Sequence, residues 1–193
     1  CQYFACRGWS IKLMKSIILC TISLNEMAGG LEKNFILLAN HFAAQGKGVD
    51  LVTFDFPEAS SYYELAPEIR WHRLAQTPPH SPIGFWQRIS LINRIRKVFK
   101  NIDRPIIICF HHGLLSRVFA ASLGLRLPVI CSERNSLEIY DHIKQTRKWS
   151  LSFIMLALTS FITVQFPRYI RDYPWWLRKR MCVIPNPVFS KKK

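Results

Sequence analysis

The stretch over residues 15–48 constrains the fold most, because its hydrophobic spacing changes on either side of a pair of glycines. Residues 16–24 are a short apolar run with β-branched side chains and no helical spacing, which predicts a buried strand. Beyond the glycines, four apolar side chains recur every three or four positions, as on one face of a helix. They are Leu31, Phe35, Leu38 and Phe42. The stretch therefore predicts a strand, a tight turn and a helix.

Gly29 and Gly30 lie in this turn. Glycine lets the backbone bend sharply and come close to a ligand, and the first amides of the following helix have no partner within the helix. These amides and the helix dipole favour a phosphate or a carboxylate. Two interpretations stay open: the glycines bind an anionic group of a substrate, or they only make the turn. The GxGxxG dinucleotide motif is absent here.

The rest of the chain alternates predicted strands with predicted helices. Residues 105–110, PIIICF, form a continuous apolar run, which is typical of a strand buried on both faces of a parallel sheet. Strands are predicted over residues 16–24, 49–54, 69–74, 105–110, 127–131, 161–165 and 181–184, and further helices over 84–100, 114–124 and 138–158. This alternation predicts a Rossmann-like α/β fold with a doubly wound parallel sheet.

Polar clusters follow three of the predicted strands. One contains the glycine turn, the second is His111 and His112, and the third contains Glu133, Arg134 and Asn135. Ligands of such sheets bind outside the carboxyl ends of the strands. The histidines either contact a ligand or are ordinary loop residues. Glu133 and Arg134 either bind substrate, pair with each other or cap a helix.

The charge of the chain predicts an anionic partner. The 193 residues include 27 Lys and Arg against 12 Asp and Glu, a net charge of +15. A phosphorylated substrate, an acidic membrane surface and nucleic acid all fit this charge. We expect no nucleic-acid partner, because the basic residues are spread over the α/β elements and no recognition motif is present.

In the predicted helix over 84–100, Arg94, Lys97 and Lys100 line the side opposite an apolar stripe that starts at Phe85. This basic face either contacts a membrane or a polyphosphate, or is an ordinary solvated surface.

Residues 149–166 contain no charged side chain and approach the length of a membrane span. A buried helix that runs into a strand explains them better, because five hydroxyl side chains interrupt the run.

The six cysteines show no CxxC pair and no zinc spacing, which predicts a reduced, cytoplasmic protein without a metal site.

Three segments together resemble the amino-terminal half of a GT-B glycosyltransferase of the glycosyl transferase family 4 group. They are AGGLEKNFILLANHFAAQGKGVDLVTF over residues 28–54, VICSERNS over 129–136 and VIPNPV over 183–188. The SERN segment is similar to the subgroup that adds sugars to polyprenyl-pyrophosphate-linked saccharides or to cell-envelope polysaccharides.

The resemblance implies a retaining transfer of a sugar from a nucleotide-diphosphate donor to an acceptor hydroxyl, with no metal or cofactor. It implies that Gly29 and Gly30 approach the donor phosphates or the acceptor, and that His111 or His112 contacts the transferred sugar as the catalytic histidine. Glu133, Arg134 and Asn135 would line the cleft, where Arg134 could hold an anionic acceptor group.

The resemblance also implies a domain organisation. We expect residues 1–13 to be an extension outside the fold, residues 14–188 to be the acceptor-binding domain and residues 189–193 to begin an interdomain linker. The donor-binding domain of the family is expected beyond this point, so the chain alone should have little or no activity. We expect a cytoplasmic protein, peripheral on the inner face of the cell membrane. The alternative is a non-catalytic module that binds anionic lipid or a membrane surface. A separate donor-binding domain is a further expected partner.

Overall fold

The computed structural model describes residues 16–75, 84–137 and 151–187. Short 3-10 segments lie at His112–Leu114 and Pro167–Asp172. The strands and helices in chain order are β1 (Ser16–Cys20), α1 (Gly30–Ala44), β2 (Gly48–Thr53), β3 (Arg70–Arg73), α2 (Phe85–Lys100), β4 (Ile106–Cys109), α3 (Leu115–Ser122), β5 (Val129–Glu133), α4 (Leu151–Leu158), β6 (Phe161–Val164), α5 (Trp175–Arg178) and β7 (Met181–Val183).

The described strands form one sheet in the order β3-β2-β1-β4-β5-β6-β7, and every neighbouring pair is parallel. The chain builds outward from β1 to β3, then returns to the other side of β1 at β4. The predicted doubly wound, Rossmann-like sheet is therefore confirmed. Its strand order reverses between β1 and β4, the place at which such folds bind ligands.

Both faces of the sheet are covered, as the apolar runs of the sequence require. Side chains alternate between the faces along each strand. In β1, Ile18 joins the core that α2, α3 and α4 cover, whereas Leu19 joins the core beneath α1. Ile107 and Phe110 divide in the same way at the other side of the strand reversal.

Three differences from the sequence prediction concern β5, β1 and α2. β5 covers Val129–Glu133 instead of residues 127–131. β1 ends at Cys20 instead of continuing to residue 24, because the Ser23 hydroxyl and the Leu24 amide donate to the Asp55 carboxylate. In α2 the first turn is solvent-facing: Phe85 is 69% exposed, although it was predicted to begin the apolar stripe. The side chains that α2 buries instead lie in its last three turns. They are Leu91, Ile95, Val98 and Phe99.

The uncharged stretch near residues 149–166 is not one continuous helix. Of its described part, α4 ends at Leu158, β6 begins at Phe161, and the Thr159 hydroxyl between them donates to the Leu156 carbonyl oxygen at 2.7 Å. Over the described ranges 16–75, 84–137 and 151–187, no helix has the length and apolarity needed to cross a membrane. The predictions for residues 1–13, 138–150 and 189–193 lie outside these ranges.

A buried carboxylate joins the two strands at one side of the sheet. Asp50 in β2 is fully buried, and its oxygens lie 2.7 Å from Arg70 Nη2 and 2.7 Å from His72 Nε2 of β3. Burial alone would raise the pKa of Asp50, but the hydrogen bonds and charges of His72 and Arg70 lower this pKa below its ordinary value. The ionised form of Asp50 therefore stabilises the fold.

We predict that Asp50→Asn lowers the free energy of unfolding at pH 7 by about 1–3 kcal/mol, because hydrogen bonds to a charged group are lost. A depressed native pKa stabilises the fold above the unfolded pKa of about 4, and this contribution is lost as pH falls through the native pKa. Urea denaturation should thus show the difference between wild type and variant shrinking below pH 4. The exposed Asp103→Asn serves as control. A difference independent of pH would contradict this account.

Candidate functional site

The turn after β1 and the residues after β4 come together where the strand order reverses. The Phe110 amide, one residue past β4, donates to the Cys20 carbonyl oxygen at the end of β1 at 2.9 Å. The Phe110 ring meets the Phe35 ring of α1 edge to face, with centroids 4.9 Å apart. His111 follows Phe110 directly. We call this region, where β1, β4 and β5 finish, the carboxyl end of the sheet.

The glycine turn is held by groups that the sequence analysis missed. Gly29 is the N-cap of α1, and the Tyr63 hydroxyl donates to the carbonyl oxygens of Ala28 at 2.8 Å and Gly29 at 3.3 Å. The Glu32 carboxylate folds back against Gly29, where a Cβ atom would overlap it, whereas a Cβ at Gly30 would meet nothing within 4 Å. A glutamate three residues after an N-cap is a known pattern, which could have revealed Glu32.

The two histidines occupy different environments. The His112 side chain is 2% exposed, whereas His111 is half-buried. Their rings stack with centroids 4.5 Å apart and planes 20° apart. His111 Nδ1 accepts a hydrogen bond from the Gly113 amide at 2.8 Å. The sequence left open which histidine faces a ligand, and the structure places His111 nearer the solvent.

Glu133 lies behind the histidines. Its side chain is 1% exposed, and its oxygens lie 3.0 Å from His112 Nδ1, 3.3 Å from the Tyr173 hydroxyl and 3.2 Å from Cys131 Sγ. Burial alone would raise the pKa of Glu133, but the hydrogen bond with His112 lowers that pKa below its ordinary value. The predicted contact of Glu133 with substrate is therefore not supported, because its side chain faces inward.

Arg134 follows the last residue of β5, and its guanidinium lies beside Phe110 in the core beneath α1. Glu133 instead contacts Tyr173 in the core on the other face of the sheet. The two therefore do not pair with each other. Arg134 Nη1 donates to Asn186 Oδ1 at 2.9 Å and to the Ile184 carbonyl oxygen at 3.2 Å, and its guanidinium lies 5.3 Å from the centre of the Phe110 ring. Burial lowers the pKa of Arg134. Arg134 thus connects the loop after β5 to the segment that leaves β7, and Asn135 follows it half-buried in the same loop.

Lys97 and Lys100, in the last turn of α2, lie away from this region. α2 starts after the carboxyl end of β3 and finishes before β4 begins, so its last turn lies toward the opposite end of the sheet. Lys97 and Lys100 are exposed there, while the half-buried Arg94 donates to the Leu74 carbonyl oxygen at 3.3 Å. The structure does not bring these three residues to the histidines.

Three buried thiols sit side by side beneath the carboxyl end of the sheet. Cys20, Cys109 and Cys131 are register partners on β1, β4 and β5. The hydrogen bond with Cys20 and burial raise the pKa of Cys109, and burial raises the pKa of Cys131. Cys109 and Cys131 therefore stay protonated, and all three cysteines are core side chains. Within the described residues, no group of three His, Cys, Asp or Glu side chains is arranged to hold a metal ion.

Solved structures of GT-B glycosyltransferases share this fold. The lipopolysaccharide outer core galactosyltransferase WaaB in its apo form superposes with a TM-score of 0.64 at 14% identity, over 93% of this chain and 47% of its own. Sucrose-phosphate synthase from Thermosynechococcus elongatus gives 0.61 at 18% identity, over 89% and 48%. Anabaena Alr3699/HepE in complex with UDP and glucose gives 0.61 at 14% identity, over 91% and 45%. The fold is thus that of one Rossmann-like half of a GT-B glycosyltransferase.

The sequence profile of Glycosyltransferase Family 4 matches residues 28–189, and the chain belongs to this family. The family predicted from the three sequence segments is therefore confirmed. No curated protein sequence matches the chain significantly. The chain spans a little under half the length of the three solved structures above, from 45% to 48%.

We predict that Arg134 and Asn186 are energetically coupled. In a double-mutant cycle of Arg134→Ala and Asn186→Ala, measured by urea denaturation, the coupling free energy should be about 1 kcal/mol, because the side chains share a hydrogen bond to a charged group. Combining Arg134→Ala with Lys33→Ala on the exposed side of α1 should be additive within about 0.5 kcal/mol. Additivity in both cycles would show that the observed contact contributes no stability.

Proposed function

We propose that the chain forms the acceptor-side half of a retaining glycosyltransferase that moves a sugar from a nucleotide diphosphate to a saccharide hydroxyl. Membership of Glycosyltransferase Family 4 supports the reaction class. The observation that carries the proposal is the place of the glycine turn and of His111, which follow the neighbouring strands β1 and β4 where the strand order reverses. The Phe35 ring of α1 packs there against the Phe110 ring. This place is where open parallel sheets bind their ligands.

Each group at the carboxyl end of the sheet has a role in this proposal. The acceptor oxygen bonds to the anomeric carbon on the face from which the diphosphate departs, as the bond from that carbon to the diphosphate oxygen breaks. Negative charge grows on the departing diphosphate, whose oxygen takes up the proton of the acceptor hydroxyl. The amides of the Gly29-Gly30 turn and the amino end of α1 stabilise this charge, because they are fixed before the reaction. Half-buried His111 contacts the transferred sugar from the opposite side of the strand reversal.

We assign the acceptor to polyprenyl-pyrophosphate-linked saccharides or a related cell-envelope polysaccharide. The SERN segment over residues 132–135 supports this class through its resemblance to that subgroup. A second support is that one similar fold, WaaB, is described as a lipopolysaccharide outer core galactosyltransferase. We do not assign the anionic group of the acceptor to Arg134, because its Nη1 atom already bonds to Ile184 and Asn186.

Donor binding in our proposal needs a second half. The chain covers at most 48% of the three glycosyltransferase structures compared above. We therefore assign tight binding of the nucleotide to a donor-binding domain, in the same polypeptide or in a partner. The 193-residue chain alone would bind a nucleotide sugar weakly and transfer little or no sugar.

The binding prediction uses UDP-glucose as the probe and the 15N-labelled chain. Nuclear magnetic resonance titration should give a Kd of about 1 mM or weaker, with shift changes centred on Gly29, Gly30 and Gly113. Gly30→Ala should abolish these changes, since its methyl group fits the free fold but blocks a ligand from approaching the backbone. Gly84→Ala, at the N-cap of α2, is the matched control. Shift changes confined to other residues, or unaffected by Gly30→Ala, would refute the assigned site.

A second observation supports a peripheral position at the cytoplasmic face of a membrane. The first turn of α2 exposes Phe85 by 69% and Trp86 by 76%, and their rings meet edge to face at 5.4 Å. Lys97 and Lys100 are exposed on the same helix, in a chain of net charge +15. A helix that exposes both aromatic and basic side chains suits the interface of an anionic bilayer. The same surface would serve the alternative function, a non-catalytic module that binds anionic lipid.

We predict that the chain sediments with vesicles containing phosphatidylglycerol but not with neutral phosphatidylcholine vesicles. Replacing both aromatic residues, in Phe85→Ser with Trp86→Ser, should weaken the association at least about tenfold, since two buried side chains contribute well over 1.4 kcal/mol. Leu123→Ser removes an apolar side chain of equal exposure, 69%, from another surface and should change nothing. Equal losses in both variants would exclude α2 as the membrane contact.

A further inference from the structure

The hydrogen bonds around the His111 ring determine where its proton lies. The Gly113 amide donates to His111 Nδ1 at 2.8 Å, and a backbone amide can only donate. A ring nitrogen that accepts a hydrogen bond carries no proton, so Nε2 carries the proton of the neutral ring. Protonation of Nδ1 would place two hydrogens between the same two nitrogens and break the bond. The geometry therefore favours a neutral imidazole that donates from Nε2.

Gly113 also provides the space for this arrangement. A Cβ atom at Gly113 would lie 2.7 Å from His111 Nδ1 and 2.9 Å from His111 Cε1, closer than Cβ atoms approach other groups. Any larger residue would push the His111 ring away from the amide. Glycine is therefore needed at this position for a steric reason, because it leaves room for the His111 ring.

The other side of the His111 ring rests on His112, which is itself held in place. Glu133 is buried with a lowered pKa, so its carboxylate is ionised and can only accept hydrogen bonds. His112 must then donate to it from Nδ1, at 3.0 Å. The Tyr173 hydroxyl donates to the same carboxylate oxygen at 3.3 Å, and Tyr173 is 1% exposed. The stacked ring at 4.5 Å thus belongs to a fixed, buried network.

We propose that Gly113 and Glu133 are positioning residues that hold His111 as a neutral imidazole with its N–H donor on Nε2. Such a ring donates a hydrogen bond to an oxygen of the bound substrate, a sugar hydroxyl or a phosphate, and does not remove the acceptor proton. The identity of the substrate oxygen rests on the proposed function. The protonation pattern of the two rings rests only on the contacts around them.

The test is a long-range 1H–15N correlation spectrum of the labelled 193-residue chain at pH 7.5, with His111→Gln and His112→Gln to assign the signals. We expect His111 to carry its proton on Nε2 alone and His112 to carry a proton on Nδ1. A protonated Nδ1 in His111, or an unprotonated Nδ1 in His112, would overturn the proposal. His41→Gln, in the exposed last turn of α1, controls for general effects of losing a histidine and should leave both patterns unchanged.

Two substitutions probe the positioning residues separately. Gly113→Ala should convert His111 from one tautomer to an exchanging mixture while His112 keeps its pattern. Glu133→Gln should let the His112 proton exchange between Nδ1 and Nε2. Tyr173→Phe removes only one of the bonds to Glu133 and should leave the His112 proton on Nδ1. An unchanged His111 spectrum in Gly113→Ala would overturn the role of Gly113, and the Glu133 variant tests the network even if Gly113→Ala fails to fold.

The outcome separates this inference from the proposed function. If both rings show the expected patterns but UDP-glucose leaves the glycine turn and His111 unperturbed, the proposed function fails and the positioning roles stand. If UDP-glucose perturbs these residues while His111 populates both tautomers, the site stands and the positioning roles fail.

Discussion

The buried carboxylate of Glu133 is the interaction on which the carboxyl end of the sheet depends. An ionised group in the interior is tolerated only where hydrogen bonds and opposite charge replace its water. Here those partners are His112 from the segment after β4, Tyr173 from the segment after β6 and Cys131 from β5 itself. One side chain therefore connects three separate parts of the chain. Its hydrogen bond with His112 fixes the orientation of that ring, on which His111 stacks.

A second constraint comes from the parallel sheet around this carboxylate. Parallel strands need crossover connections, and the described helices divide between the two faces of the sheet. α1 covers one face, whereas α2, α3 and α4 cover the other. The helix that follows β1 covers one face and the helix that follows β4 covers the other, so the chain leaves the ends of these two strands in opposite directions. The opening between the connections lies at the ends of β1 and β4, the strands that Gly29 and His111 follow.

The sequence predicts the features that depend on local spacing. Such features are the buried runs of β1 and β4, the helical spacing of α1 and the glycine pair at its start. They depend only on neighbouring residues, and the fold and the place of the candidate site follow from them. The direction of Glu133 could not be predicted in this way, since its partner Tyr173 is 40 residues distant in the chain. The same holds for Arg134 and Asn186, which are 52 residues apart. Single glutamate or arginine residues at a strand end look alike whether they face solvent or the interior.

The position of Arg134 has a mechanical consequence. Its guanidinium packs beside the Phe110 ring, which immediately precedes the histidine pair, and its Nη1 atom holds the segment that leaves β7. The two proline rings at 185 and 187 stiffen that segment. A displacement of the segment after β7 would therefore move Arg134 and, through it, the Phe110 ring beside the histidines. The position of this segment and the geometry of the carboxyl end of the sheet are coupled through one side chain.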